Sequence, residues 1–100
     1  MTNNTSIQVT YSDTRLRTLV EEYITLQKHE FTFKGLCSYV LYWAREEGKT
    51  DTKGVYVSDR IDAADGERLR EILRKIIGEG RIACEVVVIA DDTMFVKTKE

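Results

Sequence analysis

The chain has 100 residues, the usual size of one domain and too short for two hydrophobic cores. Apolar residues make up 42% of it and charged residues 32%, proportions typical of a folded protein rather than a disordered one. The formal net charge of -2 gives no overall attraction to nucleic acid or to an anionic membrane. We therefore predict a single domain over residues 1–100, in which binding to a polyanion must depend on a local basic patch.

The sequence carries no sign of membrane insertion, export or metal binding. Its apolar stretches stay far below the roughly 20 residues of a membrane span, and residues 1–6 lack the basic and apolar layout of a secretory signal. Cys37 and Cys84 are far apart and His29 is the only histidine, so a zinc site is excluded and buried thiols are expected. We expect a cytoplasmic protein without a cofactor, with residues 1–6 disordered.

The first predicted elements are a short strand and an amphipathic helix. Residues 7–11 alternate between apolar and polar side chains, the two-residue period of a half-buried strand. Ser12 or Asp13 can cap the helix that follows, because an oxygen-bearing side chain accepts from the free N–H groups of a first turn. This helix is predicted to end near His29. Its apolar positions recur at three- and four-residue spacing: Leu16, Leu19, Val20, Tyr23 and Ile24.

A second short strand and a second helix are predicted next. Residues 30–33 alternate through two phenylalanines, enough for two or three residues of strand. The helix runs from Lys34 to Glu47 and Gly48 ends it, since glycine readily adopts the left-handed conformation after a helix. Apolar residues cover more than one face of this helix, which indicates central packing or contact with a partner. They are Leu36, Cys37, Tyr39, Val40, Leu41, Tyr42, Trp43 and Ala44.

A long loop separates the second helix from a third. Residues 48–60 are rich in Gly, Lys, Thr and Asp and contain a brief extended piece at 55–57, so we predict a surface loop there. Asp62 can cap the third helix, and Gly78 and Gly80 end it. The helical period is the clearest in the chain and is formed by Leu69, Ile72, Leu73, Ile76 and Ile77.

The C-terminal part of the chain predicts a β-hairpin. Residues 81–89 and 93–98 are rich in β-branched residues, and Ala90, Asp91 and Asp92 between them suit a turn. The predicted fold class is therefore α+β, with three helices and a small antiparallel sheet that includes this C-terminal hairpin.

The order helix, short strand, helix, helix and two-stranded hairpin resembles the winged-helix branch of the helix-turn-helix proteins. The resemblance covers residues 13–98. It is carried by Phe31–Leu36, which lead into the second helix, and by Leu69–Ile82, where the third helix turns directly into the first hairpin strand. The resemblance implies a winged-helix-like DNA-binding or transcription-regulating protein that presents its third helix to the major groove, and many such proteins form homodimers.

Two features depart from the winged-helix pattern. Residues 48–62 are longer than the tight turn between the helices of a compact helix-turn-helix. Asp91 and Asp92 lie at the predicted tip of the hairpin, where their carboxylates would repel phosphates rather than contact them. The hairpin turn therefore argues against ordinary contact between the wing and DNA.

The third helix carries the residues predicted to contact nucleic acid. Residues 67–81 hold five basic and three acidic residues, a net charge of +2. In the alternative interpretation this is an ordinary solvated helix face, in which Glu71 and Lys75 form an ion pair one turn apart. The predicted nucleic-acid-binding residues, which would reach phosphates or guanine edges, are Arg68, Arg70, Arg74, Lys75 and Arg81.

Three aromatic residues of the second helix form the other candidate surface. Tyr39, Tyr42 and Trp43 could stack nucleic-acid bases, but their near neighbours are Leu and Val instead of basic residues. Packing in the core or in a partner interface is the better interpretation. We predict that these three residues form a contact with a protein partner, such as a second copy of the chain.

The remaining polar motifs predict no catalysis and no metal site. Asp59, Asp62 and Asp65 are spaced by three but lack the glycine and terminal glutamate of a calcium loop, so they fit a helix N-terminus better. Residues 48–50 match the end of a phosphate loop without its earlier glycine. Nothing in the sequence is placed to complete a triad with His29. We predict a non-enzymatic protein.

Two functions fit this pattern. The first is a small non-enzymatic winged-helix-like protein that binds double-stranded DNA or regulates transcription. The second is a protein-protein interaction module of the same fold that does not bind DNA. The first is the leading prediction. The second is its main alternative, supported by the acidic balance, the acidic turn and the broad apolar surface of the second helix.

Overall fold

The computed structural model describes residues 6–51 and 60–98, in which three helices and two small antiparallel sheets are found. The predicted α+β class is confirmed. In one sheet β1 pairs with β3, and in the other the strand order is β2-β5-β4. The elements in chain order are β1 (Gln8–Val9), α1 (Asp13–Leu26), β2 (Glu30–Thr32), α2 (Phe33–Glu46), β3 (Thr50–Asp51), α3 (Ala63–Gly78), β4 (Ile82–Ala83) and β5 (Met94–Lys97).

Side-chain oxygens cap the N-termini of all three described helices. Ser12 Oγ accepts from the N–H of Arg15 at 3.2 Å, as predicted, and Asp62 Oδ2 accepts from the N–H of Ala64 at 3.1 Å. Thr32 Oγ1 caps α2 by accepting from Gly35 N–H at 3.1 Å. Helix α2 therefore begins at Phe33, one residue before the predicted start at Lys34, because Thr32 is its N-cap.

Glycines indicate where the helices end more accurately than the spacing of the apolar residues does. Gly48 and Gly80 adopt φ values of 69° and 81° after α2 and α3, a conformation that side chains with a Cβ disfavour. Helix α1 has no such glycine and ends at Leu26, three residues before the predicted end at His29. Gln27 is already extended, which turns the chain toward β2.

The core lies between the three helices and one face of the three-stranded sheet. Helix α1 packs against both α2 and α3. The rings of Phe31 and Phe95 lie opposite each other in the sheet and stack with centroids 5.1 Å apart. Burial of apolar side chains is the main favourable term in such a fold. The largest fully buried side chains are Phe33, Phe95, Ile7, Leu16, Leu19, Leu36, Leu69, Leu73, Ile76, Ile82, Val20 and Val40.

The C-terminal hairpin is much shorter than predicted. Strand β4 contains only Ile82 and Ala83, which pair with Lys97 and Val96, and the chain leaves the sheet at Cys84. The strand ends early because the chain must return to the core at Ile89, whose side chain is buried, before it reaches the turn at Asp91–Asp92. The predicted strand over residues 81–89 is therefore wrong in extent, whereas β5 (Met94–Lys97) lies within the predicted second strand, residues 93–98.

The Asp91–Asp92 turn also lies elsewhere than predicted. It is closed by a bond from the N–H of Thr93 to the carbonyl of Ala90, at 3.1 Å. The carbonyl of Asp91 then accepts from the N–H of Lys34 at 2.9 Å, so that the turn packs on the start of α2. The predicted acidic wing tip is thus an acidic turn beside a helix N-terminus, where carboxylates are favoured.

The N-terminal strand holds the two described ends of the long α2–α3 connection. The N–H of Ile7 donates to the carbonyl of Arg60 at 2.8 Å, and the N–H of Thr10 donates to the carbonyl of Lys49 at 2.8 Å. Asp65, a buried residue of α3, accepts from the N–H of Val9 at 3.0 Å. The predicted extended piece at 55–57 lies outside the described residues.

Of the residues predicted to be disordered, only Ser6 is described. Its hydroxyl donates to Asp62 Oδ1 at 3.0 Å, which ties it to the cap of α3.

Candidate functional surfaces

Arg68, one of the five predicted DNA contacts, faces α1. Its guanidinium makes ion pairs with Asp13 at 2.8 Å and with Asp65 at 2.9 Å, and donates to the carbonyl of Tyr11 at 2.6 Å. These contacts join the start of α1 to the first turns of α3. Arg68 therefore stabilises the packing of α3 against the start of α1, and its guanidinium does not point outward into solvent.

Lys75 and Arg81 also lie on the α1 side of α3. Lys75 borders a shallow cleft that α1 forms with α3. Arg81 lies 3.4 Å from Glu21 and 3.8 Å from Glu79, and Glu79 also pairs with Arg17 at 2.8 Å. Hydrogen bonding to Arg17 lowers the pKa of the Glu21 carboxyl, with the Arg81 charge as a smaller cause. Cations and carboxylates alternate here, so this side of α3 is not a basic surface.

The outward side of α3 is mixed in charge. Arg74 lies 2.6 Å from Glu71 and 3.8 Å from Glu67, and all three side chains are exposed. The predicted pair between Glu71 and Lys75 is absent among the described ion pairs, and Arg74 pairs with Glu71 instead. The five predicted basic residues are thus divided among three directions.

Arg70, the fifth of these residues, lines a groove that no sequence pattern announced. The groove lies between α2 and the first turns of α3 and has a volume of about 920 Å³. Its floor is apolar, with Phe33, Cys37 and Leu41 from α2 and Ile61 from the approach to α3. We call it the α2–α3 groove. Its charged lining residues are Lys34, Arg45, Arg60, Arg70, Asp62 and Asp91.

Contacts on three sides hold the Arg70 guanidinium in the groove. Its carbon lies 4.7 Å from the centroid of the Phe33 ring, a cation–π distance. Its Nε donates to the carbonyl of Ile89 at 2.8 Å, and Nη1 donates to Glu67 at 3.1 Å. Arg70 is therefore a fixed positive charge at one wall of the groove.

Only the α2 side of the groove has a signal in the sequence, which is the spacing of its residues along the second helix. Lys34, Ser38, Leu41 and Arg45 follow one another by four, three and four residues, which puts them on one side of a helix. The broad apolar surface of α2 concealed this polar side. Arg60 and Arg70 lie 15 and more residues further along the chain, and only the fold brings them to the same groove.

The three predicted aromatic contacts of α2 form one cluster on its other side. Tyr39 packs against Tyr23 of α1 with centroids 5.0 Å apart, and Trp43 meets Tyr39 edge-on at 6.5 Å. Tyr42 meets Trp43 edge-on at 5.3 Å and is 55% exposed. Tyr39 and Trp43 are half-buried against the core, so Tyr42 is the most exposed ring of the predicted partner contact.

A second apolar surface lies on the side of the three-stranded sheet that faces away from the core. Val96 is flanked in register by Glu30 and Ala83, and Met94 lies opposite Thr32. Val96 is 48% exposed and Met94 is 44% exposed. Because alternate residues of a strand point to opposite faces, both side chains point away from the buried Phe95 between them. We call these five residues the outer sheet face.

The segment that follows β4 also exposes apolar side chains. Val86, Val87 and Val88 are 52%, 89% and 77% exposed, and no backbone–backbone hydrogen bond joins residues 85–88 to another described part of the chain. We call residues 85–88 the valine loop. Glu30 and Glu85 border the surface and make no ion pair within the described residues.

Groups suited to catalysis or metal binding do not come together in the described residues. No cluster of three His, Cys, Asp or Glu side chains could hold a metal ion in residues 6–51 and 60–98. Both cysteines are free, and burial, followed by the charge of Asp91, raises the pKa of the Cys37 thiol to about 12. Such a thiol is protonated and unreactive at neutral pH. None of the described helices is long and apolar enough to cross a membrane.

Comparison of the chain with protein-family models, with curated proteins and with solved structures finds no match. The functional proposals below therefore depend on the three surfaces just described: the α2–α3 groove, the aromatic cluster of α2, and the outer sheet face with its valine loop.

Proposed function

We propose that this chain is a non-enzymatic protein-interaction module with a winged-helix-like fold, and that it uses the outer sheet face and the valine loop. One observation carries the proposal: apolar side chains that are 44% to 89% exposed on one side of a small sheet and on the loop that leaves it. Monomeric proteins rarely expose a contiguous apolar patch of more than a few hundred Å², and larger patches mark interaction sites.

The winged-helix part of the proposal is supported by the order of the elements. Helix α1, strand β2, helices α2 and α3, and strands β4 and β5 follow in the order that the family resemblance implies. Strand β2 pairs with β5, so that the strand between the first two helices completes the sheet of the hairpin. The additional pair β1 and β3 belongs to the longer connection between α2 and α3.

A second copy of the chain is the partner that we assign to this surface. An apolar patch is complementary to itself, and a two-fold axis buries the same patch on both protomers. Val87 and Val88 lie at its most exposed point, where association removes the largest apolar area from water. Glu30 and Glu85 belong at the solvated border of such an interface, where charged groups are tolerated.

Sedimentation velocity across a hundredfold range of protein concentration tests this proposal. We expect a reversible dimer in the wild-type chain and a monomer in Val87→Glu, because each interface would bury two added carboxylates. Tyr42→Glu is the matched variant, since it places the same charge on the aromatic cluster, and we expect it to dimerise like the wild type. A wild-type monomer at every concentration, or dissociation by Tyr42→Glu alone, would contradict the proposal.

DNA binding through α3 is the second candidate function, favoured by the exposure of Arg74 and Lys75 on a helix that leads directly into the hairpin. The ion pairs of Arg74 with Glu67 and Glu71 oppose it only weakly, because exposed pairs contribute about 0–1 kcal/mol. Anisotropy titration of a labelled mixed-sequence duplex at two salt concentrations tests it. We expect Arg74→Glu to weaken such binding about tenfold or more; equal affinity for both proteins removes this candidate.

A further inference from the structure

The α2–α3 groove has the size and the wall composition of a ligand site. Its volume of about 920 Å³ lies within the roughly 300–1,000 Å³ typical of small-molecule pockets. Phe33, Cys37, Leu41 and Ile61 supply an apolar floor, and the hydroxyl of Ser38 lies at the wall. An apolar floor with a few charged groups around it suits a ligand that has both an organic body and a charged head.

The positive charges of the groove are available to such a head to different degrees. The Lys34 ammonium makes no hydrogen bond or ion pair within the described residues, so a ligand can take it without breaking a contact. Arg70 uses Nε and Nη1 for Ile89 and Glu67, and its Nη2 has no described partner. Arg45 and Arg60 add two further cations to the lining.

The two carboxylates of the groove are not equivalent. Asp62 accepts from the N–H of Ala64 and from the hydroxyl of Ser6, so its charge is committed to the cap of α3. The carboxylate of Asp91 makes no described side-chain contact, and only its backbone carbonyl is used, by Lys34. Asp91 is therefore the group that opposes an anion here.

We infer that the α2–α3 groove binds the phosphate groups of an organic phosphate, held by Lys34 and Arg70. Arginine suits phosphate because its planar donors match the oxygen geometry, and lysine adds a point charge. Ala63, in the first turn of α3, also lines the groove, and the start of a helix favours negative charge. The phosphate can belong to a free nucleotide or to the backbone of duplex DNA.

Calorimetric titration of the full chain at low salt tests this inference with three probes: pyrophosphate, ATP without metal, and a short mixed-sequence duplex. We expect Lys34→Ala to weaken binding about tenfold, because it removes a cation that has no structural contact. Asp91→Asn is expected to tighten binding severalfold, since it removes the opposing charge. Lys28→Ala, in the exposed segment after α1 and outside the groove, is the matched control and should bind like the wild type.

The three probes separate the two sources of phosphate. Tight ATP binding that Lys34→Ala weakens, with little affinity for the duplex, assigns the groove to a free phosphorylated molecule. Duplex binding that Lys34→Ala weakens and that ATP displaces poorly assigns it to the DNA backbone, and this affinity should fall steeply with salt. The inference is overturned if none of the probes binds, or if Lys34→Ala and Lys28→Ala lose affinity equally.

Discussion

The α2–α3 groove and the outer sheet face differ in how their side chains are held. In the groove, Arg70 is fixed by a ring, a carbonyl and a carboxylate, and the turn at Asp91 closes onto the start of α2. On the outer sheet face, Met94, Val96 and the valines beyond them extend into solvent. Contacts within the chain therefore preorganise the charged surface, whereas no described residue covers the apolar side chains. Preorganised charges favour a small ligand, and uncovered apolar area favours association.

The net charge of the chain is a poor guide to the charge of its individual surfaces. Carboxylates balance the cations on the α1 side and on the outward side of α3, through the pairs of Arg68, Arg74 and Arg81. In the groove, by contrast, the Lys34 ammonium has no ion-pair partner within the described residues. A chain with a net charge of -2 can thus present a local positive surface.

The largest expected effect separates the two faces of one strand. Phe95→Ala should destabilise the fold by about 3–5 kcal/mol, because its ring is fully buried against Phe31. Met94→Ala, the next residue, should change stability by less than about 0.5 kcal/mol, since its side chain leaves water only if a partner binds. Urea denaturation of the two variants provides the measurement. Similar losses would show that the outer sheet face is held by the fold itself.

A smaller effect is expected in the groove. Arg70→Ala should cost about 1–2 kcal/mol, because it removes the Phe33 stacking and the hydrogen bond to Ile89. Arg74→Ala should cost less than about 0.5 kcal/mol, since its partners Glu67 and Glu71 are exposed. Thermal unfolding of both variants checks the difference. Equal losses would mean that the groove charges are no more preorganised than those of the outward side of α3.

The smallest expected effect is a pH dependence at the floor of the groove. Burial raises the pKa of Cys37 to about 12, so the unfolded thiol ionises before the folded one and stability falls as pH rises above about 9. Below about pH 8 this contribution is fully present. Cys37→Ala should flatten the slope by at most about 1.4 kcal/mol per pH unit. Urea denaturation of both proteins at pH 8 and pH 10 measures this difference. If the free energy of unfolding changes equally with pH in the wild type and in Cys37→Ala, the thiol is exposed to water.

The sequence predicted the elements better than their extents. Apolar periods and side-chain caps located three helices, because these signals act within one or two turns. The hairpin was misjudged because β-branched Val86, Val87 and Val88 have strand propensity wherever they lie, and burial of Ile89 ends the ladder from a distance. The groove was missed for a related reason: Lys34 and Arg70 meet only after α2 and α3 have packed.

The basic residues of α3 illustrate the same limit. Because all of them are basic, the sequence predicted one binding face. A helix turns by about 100° per residue, so neighbouring side chains point in different directions and pair with different carboxylates. Arg70 and Arg74 pair with glutamates three residues away, whereas Arg68 pairs both with Asp65 and with Asp13, which is 55 residues away along the chain. Partners at such distances are decided by tertiary packing and not by local spacing.

The bond between Val9 and Asp65 has a consequence for the order of folding. It joins residues 56 positions apart, and the strand that contains Val9 also contacts the chain near Lys49 and Arg60. Closing so long a loop costs entropy before any contact repays it. We therefore expect α1, α2 and α3 to collapse first and the N-terminal strand to dock last. Removing the bond between Val9 and Asp65 should then increase the unfolding rate more than it decreases the folding rate.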